Sequence, residues 1–398
     1  MTVDRATASQ TGSDVRHAPS LAALTLSTFR NYPSLRLDLS PEPVVLFGDN
    51  GSGKTNLLEA LSFLSPGRGL RRAPFDSIAQ TGAHGDWAVS ARLRSGSDMV
   101  SIGTGWQATA GSADRKRVTR IDGETAASAE ALTDYARVLW LTPAMDGLFT
   151  GPAGDRRRYL DRLVLAVDPG HGRRVAGFER AMRGRNKLLE DERADPAWLS
   201  AQESQMAELG TAIAAARRDL VSRFVHLMTE IGSPDSGPRG ETFPAAQLAL
   251  EGSLEAALSD RSATDVEDMY QDMLAQGRRR DRAAGRTLDG PHRSDLHVRH
   301  AVKDMPAGLC STGEQKALLL GLTLAHARLV SDFVDQAPLL LLDEVAAHLD
   351  HARRAGLVDE LERIGGQCWL TGTDRALFTA LENRAQFFEV NNAIVKLA

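Results

Sequence analysis

The residues whose types and spacing could do chemistry are concentrated in GDNGSGKT, residues 48–55. The segment follows the G-x-x-x-x-G-K-[ST] pattern, in which glycines let backbone N–H groups turn inward around phosphate oxygens. An apolar VVLF precedes it and a helical KTNLLEALSFL follows it, which is the strand–loop–helix context that the pattern requires. The alternative, a glycine-rich turn with a chance lysine, is much rarer than a phosphate-binding loop in this context.

We predict that Lys54 reaches the β- and γ-phosphates of a nucleotide and that the Thr55 hydroxyl coordinates Mg²⁺. The N-terminus of the following helix adds positive partial charge behind the phosphates. The predicted nucleotide-binding residues of this loop are Gly48, Asp49, Asn50, Gly51, Ser52, Gly53, Lys54 and Thr55.

A second candidate group is PLLLLDE, residues 338–344, an apolar run that ends in two carboxylates. A buried parallel strand reads as a continuous apolar run, and ligands lie at the carboxyl ends of such strands. Asp343 is predicted to hold Mg²⁺, directly or through water, and Glu344 to orient and deprotonate the attacking water. The alternative is a core strand followed by an acidic helix start.

STGEQKALLLGLTLAHARLV, which begins at Ser311, has two readings. Ser311 and Glu314 have the spacing of a capping box that opens an amphipathic helix. The same helix N-terminus could present its dipole and a hydroxyl to a phosphate.

The elements around these segments predict an α/β protein. Residues 22–48 and 86–141 are strand-like, residues 155–286 are mostly long helix, and the chain after Cys310 alternates helix and strand. We expect a flexible tail over residues 1–20, a discontinuous head over 21–150 and 300–398, and a helical arm over 151–299.

Composition limits the classes of function. The 398 residues are 42% hydrophobic and carry a net charge of −5, which does not indicate a strongly basic nucleic-acid binder. Only 5% of them are aromatic, which argues against a surface of stacking rings for single-stranded nucleic acid. No uncharged apolar stretch approaches about 18 residues, so we expect no membrane span. Two cysteines, Cys310 and Cys368, fit a reducing cytoplasm.

Charge is segregated along the predicted arm. Residues 151–187 carry a balance of +6 and residues 278–299 of +4, against −8 over residues 230–272. Arginine clusters give sequence-independent phosphate contacts, although arginines on long helices also form solvated faces paired with acids. The candidate DNA contacts are Arg156, Arg157, Arg158, Arg173, Arg174, Arg278, Arg279 and Arg280, with Arg162 beside the first cluster and a further group at Arg115, Lys116 and Arg117.

The phosphate loop, the S-x-G-x-Q helix start, the strand ending in Asp-Glu and AAHLD occur in the order typical of an ABC-type ATPase head. Thr55 and Ser311 lie 256 positions apart, too far for a compact transporter head and too close for the coiled coils of chromosome-condensation ATPases. TFRNY, LTPAMDGLFTGPAGDRRRYLD and DGPHRSDL resemble the bacterial RecF family of repair proteins.

This resemblance implies an ABC-type P-loop ATPase head with an antiparallel β layer and a helical arm. It implies ATP as the nucleotide and an ATP-dependent homodimer, in which Ser311, Gly313 and Gln315 of one subunit cap the γ-phosphate held by the other. Arg30 and Asn31 are expected to touch the base or ribose, or else to be ordinary turn residues.

The resemblance also implies recombinational repair and replication. Family members are expected to bind DNA at single-strand/duplex junctions of gaps, to work with RecR and RecO, and to help RecA loading and SOS induction. The chain lacks a histidine after its last core strand, where Thr371, Thr373 or Asp374 could sense the γ-phosphate, and Glu314 replaces a usual glycine. We therefore expect a weak, slow DNA-dependent ATPase. The alternatives are a transporter-like ATPase subunit and a nucleotide-binding scaffold that acts through protein partners without direct DNA binding.

Overall fold

The computed structural model describes residues 18–80, 82, 85–108, 115–191, 193–231 and 242–398. Most of the predicted tail lies outside these residues. The strands are β1 (Ser20–Phe29), β2 (Tyr32–Asp38), β3 (Val44–Phe47), β4 (Trp87–Ser95), β5 (Asp98–Ala108), β6 (Arg115–Ile121), β7 (Glu124–Thr125), β8 (Val138–Leu141), β9 (Ala246–Glu251), β10 (Asp295–His300), β11 (Met305–Pro306), β12 (Leu339–Leu342), β13 (Cys368–Gly372), β14 (Gln386–Asn391) and β15 (Ile394–Leu397).

The helices follow the predicted order, with one long helix and several short ones in the central segment. They are α1 (Lys54–Ser62), α2 (Ala153–Val167), α3 (His171–Glu190), α4 (Pro196–Ile231), α5 (Ser253–Ala257), α6 (Ala263–Gln276), α7 (Arg278–Ala284), α8 (Thr312–Val334) and α9 (His351–Ile364).

A six-stranded sheet in the order β15-β14-β3-β13-β12-β8 carries the predicted nucleotide-binding segments. The pairs from β14 to β8 are parallel, and only β15 is antiparallel to its neighbour. The residues of β12 are buried throughout, as expected for a strand that is covered on both faces. The order places β13 between β3, which leads into the phosphate loop, and β12, which ends one residue before Asp343.

A second six-stranded sheet, β2-β1-β4-β5-β6-β7, is antiparallel. Buried and exposed residues alternate along β4, so one face of this sheet packs on the core and the other faces solvent. Its apolar face shares a core with α1 and with side chains of β3, β8, β12 and β13. The predicted α/β architecture with an antiparallel β layer is therefore confirmed.

Strand β9 lies in the segment for which the sequence analysis predicts mostly helix. It pairs antiparallel with β10, and β11 pairs with the other edge of β10. The short sequence AQLALE has weak alternation and one exposed face, so its pairing with a strand 49 residues later decides its structure.

One hydrophobic core includes residues on both sides of the predicted domain boundaries at residues 151 and 299. The amphipathic helix α2 and the C-terminal half of α4 pack with β9 and β10 against α8 in one core, whereas the N-terminal half of α4 packs with α3 and α6 in another. The domain boundaries stay a prediction.

Helix α8 lies at the centre of the first core. Among the described residues it is the one helix long and apolar enough to cross a membrane by length and composition, but 72% of its most apolar stretch is buried inside the protein. Burial of this kind is typical of a core helix.

Candidate functional site

The phosphate loop between β3 and α1 is closed by two glycines that no other residue could replace without strain. Gly53 has φ of 119°, and a Cβ at this position would lie 2.6 Å from the Tyr32 hydroxyl and 2.7 Å from the Asn31 amide nitrogen. Gly48 has φ of 143°, and its Cβ would lie 2.2 Å from the carbonyl oxygen of Val390 on β14. The loop is therefore fixed against both sheets.

Lys54 lies inside this loop and is 4% exposed. Its ammonium group donates to the carbonyl oxygens of Gly48 at 2.6 Å and Asp49 at 2.8 Å. Burial lowers the pKa of Lys54, and the carboxylates of Glu344 and Asp343 oppose that shift. The side chain is thus held over the concave face of the loop, where a phosphate would take over its hydrogen bonds.

The loop also contains an unused polar group. The Ser52 hydroxyl is buried and has no hydrogen-bond partner among the described residues. A buried hydroxyl without a partner costs free energy, and a phosphate oxygen in the loop would satisfy it. The residues present therefore fit a phosphate group.

Thr55 and Asp343 meet although 288 positions separate them in the chain. The Thr55 hydroxyl lies 3.1 Å from both carboxylate oxygens of Asp343. A hydroxyl and a carboxylate are oxygen ligands of the type that Mg²⁺ takes beside a nucleotide. This pair fits the predicted metal position.

The carboxylates at the end of β12 are held by a neighbouring strand. Asp343 is 5% exposed and accepts from the Thr371 hydroxyl at 2.7 Å. Burial raises the pKa of Asp343, and the hydrogen bonds from Thr371 and Thr55 oppose this. The backbone N–H of Glu344 donates to the Thr371 oxygen at 2.9 Å, so both acidic residues depend on one threonine.

A cavity of about 30 Å³ lies beside the two carboxylates, which is room for a water molecule. Its lining includes Asp343, Glu344 and His348, together with Asp146 and Lys316, which form an ion pair at 2.9 Å. This ion pair has no local sequence signal, since 170 positions separate the two residues. Glu344 thus adjoins a small, partly open cavity in which an attacking water could be held.

Arg30 and Asn31 lie next to the loop but are engaged within the chain. Arg30 donates from Nε at 2.9 Å and Nη2 at 2.6 Å to Glu59, a completely buried carboxylate on α1. Asn31 accepts from the Asn56 amide at 2.7 Å and lies 3.4 Å from the Ser52 carbonyl oxygen. Their contact with a base or ribose stays a prediction. The role of Glu59 was missed, although a glutamate amid the apolar residues of a helix was a signal.

The start of α8 has the predicted capping box. The Ser311 hydroxyl accepts from the backbone N–H of Glu314, whose carboxylate accepts from the backbone N–H of Ser311. Lys303 pairs with Glu314 and, with the bonds from Ser311, lowers the pKa of Glu314 to about 2. Gln315 donates to the Cys310 carbonyl oxygen at 2.8 Å, and the position of a Gly313 side chain would be open space.

This helix end and the phosphate loop are separate within one chain. Among the described residues, no hydrogen bond joins Ser311, Gly313 or Gln315 to residues 48–55. The structure brings together the loop, Asp343, Glu344 and Thr371, and it leaves the predicted γ-phosphate cap outside that group. The role of the helix end stays a prediction.

Thr373 and Asp374 are, besides Thr371, the predicted sensors of the γ-phosphate. Thr373 is exposed. Asp374 is the N-cap of the turn Arg375–Leu381 and accepts from the backbone N–H of Ala376 at 2.9 Å. The identity of the sensor stays a prediction.

Two candidate DNA-contacting arginines on α2 are tied to the segment before and within β10. Arg156 makes a bidentate pair with Asp295, with both nitrogen–oxygen distances at 2.7 Å. Arg157 donates to the carbonyl oxygen of Ser294 at 2.7 Å. Bidentate pairing fixes a guanidinium in place, so these side chains join α2 to β10.

Most of the other candidate arginines also have an acidic partner. Arg278 donates from Nε to Glu203 at 3.0 Å, and this hydrogen bond raises the pKa of Arg278. Arg279 is exposed and has no ion pair or hydrogen bond among the described residues. The remaining pairs are Arg158 with Asp155, Arg173 with Glu130 at 3.9 Å, Arg174 with Asp168, and Arg280 with Asp289.

Residues 115–117 likewise include side chains that are bound within the protein and one that is exposed. Arg117 donates to the carbonyl oxygens of Phe63, Ser65 and Gly67 after α1, and burial lowers its pKa to about 10. Arg115 pairs with Asp86 at 2.8 Å, and Lys116 is exposed. Arg162 packs over the Trp140 ring at 4.8 Å and has its pKa lowered to about 10 by burial. Arg117 and Arg162 therefore stabilise the fold, and DNA contact by the other side chains stays a prediction.

Comparisons with known proteins identify the family of the chain. The family model described as RecF/RecN/SMC N terminal domain matches residues 20–396. The DNA replication and repair protein RecF of Mesorhizobium japonicum is 56% identical over 375 residues, which are 94% of this chain and 97% of the relative. RecF of Brucella suis is 56% identical over 376 residues, 94% of each chain.

Solved structures show the same fold. The recombination mediator protein RecF bound to ATPrS, described as part of the RecFOR pathway, superposes with a TM-score of 0.82 at 20% identity, over 96% of this chain and 99% of the other. An Smc head domain from Pyrococcus furiosus has a TM-score of 0.50 at 15% identity, over 96% of each chain. The chain belongs to the RecF family, within the wider RecF/RecN/SMC group of ATPase heads.

Proposed function

We propose that this chain is an ATP-dependent DNA-binding protein of DNA repair and replication, which dimerises around ATP and hydrolyses it slowly. The observation that carries the proposal is the convergence of Lys54, Thr55 and Asp343 at one phosphate loop with an unpartnered buried hydroxyl. Relatives at 56% identity are named DNA replication and repair proteins, and a structural neighbour is described as RecF with ATP.

The phosphate loop and the Lys54 ammonium would bind the triphosphate, and Thr55 with Asp343 would hold Mg²⁺. When bound, Mg²⁺ would neutralise charge on the β- and γ-phosphates. Glu344 adjoins the cavity next to Asp343, which suits a residue that orients water and accepts its proton. The Ser311 helix end would cap the γ-phosphate held by a second copy, because it makes no contact with the loop of its own chain.

A mass measurement tests dimerisation, because ATP should join two chains only when both halves of the composite site are intact. Light scattering after gel filtration should give a monomer without nucleotide and a dimer with ATP and Mg²⁺. Lys54→Ala should bind no ATP, whereas Ser311→Arg should bind ATP and stay monomeric. Lys396→Ala and Ser97→Arg, at exposed positions, are the matched controls. ATP-bound wild type that stays monomeric at every concentration would contradict the proposal.

The second part of the proposal is slow hydrolysis of ATP. Glu344→Gln should retain ATP binding, lose hydrolysis and lengthen the life of the dimer, with Glu382→Gln as an exposed control. A scaffold that never hydrolyses ATP predicts no difference between Glu344→Gln and wild type. A turnover number above about 10 s⁻¹ would contradict a slow switch.

The third part of the proposal is ATP-dependent binding of DNA. Fluorescence anisotropy with gapped, single-stranded and duplex DNA should show ATP-dependent affinity, strongest at the single-strand/duplex junction. Arg279→Ala should weaken binding to every sequence and reduce the slope of log affinity against log salt by about 1. Arg36→Ala, at an exposed arginine outside the predicted clusters, is the control. Absence of DNA binding by the ATP-bound dimer would favour a protein-binding scaffold.

The biological setting follows the relatives. A structural neighbour is described as a mediator in the RecFOR pathway, which supports RecO and RecR as partners. The family resemblance further implies RecA loading at gaps, a role in SOS induction and a cytoplasmic location. Binding to purified RecR in the presence of ATP and gapped DNA tests the partner assignment. Co-sedimentation with membranes would favour a transporter-like subunit instead.

A further inference from the structure

Thr371 lies on β13, the strand between the two halves of the nucleotide site. Thr371 is level with Leu46 of β3 on one side, and Leu370 is level with Leu342 of β12 on the other. Its side chain is completely buried. Thr371 is therefore level with a position two residues before Gly48, the first residue of the phosphate loop, on one side and lies beside the start of the acidic pair on the other.

The Thr371 hydroxyl has a single hydrogen, and its contacts determine where that hydrogen points. The oxygen accepts from the backbone N–H of Glu344 at 2.9 Å, so the hydrogen is donated to the carboxylate of Asp343 at 2.7 Å. A hydroxyl used in both directions has little capacity left for a phosphate. These contacts argue against Thr371 as the γ-phosphate sensor.

Glu344 needs the N–H···O contact because its backbone is strained. Its φ is 55°, in the left-handed region that side chains other than glycine rarely adopt. The turn after β12 has this conformation at the residue that directly follows Asp343. A hydrogen bond from a residue fixed in the neighbouring strand stabilises the turn.

Two hydrogen-bond donors restrict the rotation of the Asp343 carboxylate. Thr55 and Thr371 both donate to its carboxylate, from the start of α1 and from β13. Two donors on different elements determine the rotation of the carboxylate better than either one alone. Thr371 therefore acts on both acidic residues, whereas Thr55 acts on one.

We propose that Thr371 is a positioning residue that orients Asp343 and Glu344 together towards the phosphate loop, so that the metal-binding and water-activating carboxylates keep a fixed relative placement. The inference rests on the proposed function, because it concerns the same ATPase site. It predicts that loss of the hydroxyl impairs Mg²⁺-dependent steps and leaves Mg²⁺-independent nucleotide binding unchanged.

The test replaces only the hydroxyl. Thr371→Val keeps the branched shape and removes the donor and acceptor, whereas Thr371→Ser keeps the hydroxyl and removes the methyl group. Thr133→Val is the matched control, because Thr133 is also buried and its hydroxyl donates only to the local carbonyl of Glu130. Melting temperature reports on folding of each variant.

Three quantities are measured: binding of a fluorescent ATP analogue in EDTA, the Mg²⁺ concentration for half-maximal hydrolysis, and the separate values of kcat and KM for ATP. Thr371→Val should bind the analogue in EDTA as wild type does. Its kcat should fall roughly tenfold or more, the loss expected for one hydrogen bond to an ionised group, and its Mg²⁺ requirement should rise several-fold. Thr371→Ser should recover to within about threefold of wild type.

Several results would overturn the inference. Unchanged kcat and Mg²⁺ requirement in Thr371→Val would show that the hydroxyl orients neither carboxylate. Equal losses in Thr371→Ser and Thr371→Val would assign the effect to the methyl group. If Thr371→Val does not fold, Thr371→Cys, which has a weak donor of similar size, must show the same tenfold loss. A wild-type protein that binds no ATP would instead refute the proposed function itself.

Discussion

Acid should destabilise the protein through His326, a buried imidazole on α8. The side chain is 1% exposed, its Nε2 lies 3.0 Å from the carbonyl oxygen of Leu163 on α2, and its ring stacks on Phe224 of α4 at 5.7 Å. Burial lowers the pKa of His326 to about 3, aided by the positive charge of Arg162, although the hydrogen bond to Leu163 opposes the shift. The neutral ring therefore donates its Nε2 hydrogen to Leu163 in the folded state.

The direction of the pH effect follows from the two pKa values. The unfolded chain binds a proton at this histidine below pH 6.5, whereas the folded chain does so only below about 3. Between these values the unfolded state holds the additional proton, so the free energy of unfolding falls as pH falls. From pH 7 to pH 5 the contribution of this one group is about 2 kcal/mol.

His326→Gln isolates this contribution, because glutamine keeps an N–H donor and does not titrate. Urea unfolding followed by tryptophan fluorescence at pH 5, 6 and 7 gives the difference in free energy of unfolding between variant and wild type. That difference should shift by about 2 kcal/mol in favour of the variant between pH 7 and pH 5. His351→Gln, at an exposed histidine, should give no such shift. A shift below about 0.5 kcal/mol for His326→Gln would refute a buried, neutral ring.

Three further predictions concern other buried contacts. Arg185→Met should lower the free energy of unfolding by about 3–5 kcal/mol in urea, because the completely buried Arg185 joins the buried carboxylates of Glu203 and Asp281, and its loss leaves them only the more exposed Arg278 and Arg280 as ion-pair partners. Arg183→Met, on the exposed face, should not have this effect. Gly53→Ala should abolish ATP binding in a fluorescence titration and also lower the melting temperature, because its Cβ would clash with Tyr32 and Asn31, whereas Gly147→Ala, into open space, should bind ATP and melt normally. Arg117→Met should lower the free energy of unfolding by about 2–4 kcal/mol, since three carbonyl groups after α1 lose their donor; an unchanged urea midpoint would contradict this.

The parts of the site that the sequence predicted are those with local signals. The phosphate loop, the apolar strand before Asp343 and the capping box of Ser311 each depend on residues within about eight positions of one another. Local backbone geometry and burial are enough to form such features. For this reason their elements agree with the structure to within a few residues.

The parts that could not be predicted depend on distant pairings. The contacts of Thr371 follow from the placement of β13 between β3 and β12, which joins residues near positions 46, 342 and 370. The bond of Thr55 to Asp343 spans 288 positions, and no local pattern reports it. Strand β9 likewise depends on a partner outside its own sequence neighbourhood.

A local count of charges also omits partners that are distant in sequence. This affects which residues are expected to bind DNA. The balance of +6 over residues 151–187 counts arginines without the acids that meet them, such as Asp295 for Arg156 and Glu130 for Arg173. An arginine that already holds a carboxylate adds little net charge at a surface, and it must give up that partner to bind a phosphate. Exposed and unpaired guanidinium groups such as Arg279 give up no partner, so they should dominate the salt dependence of DNA binding, ahead of larger clusters that are already paired.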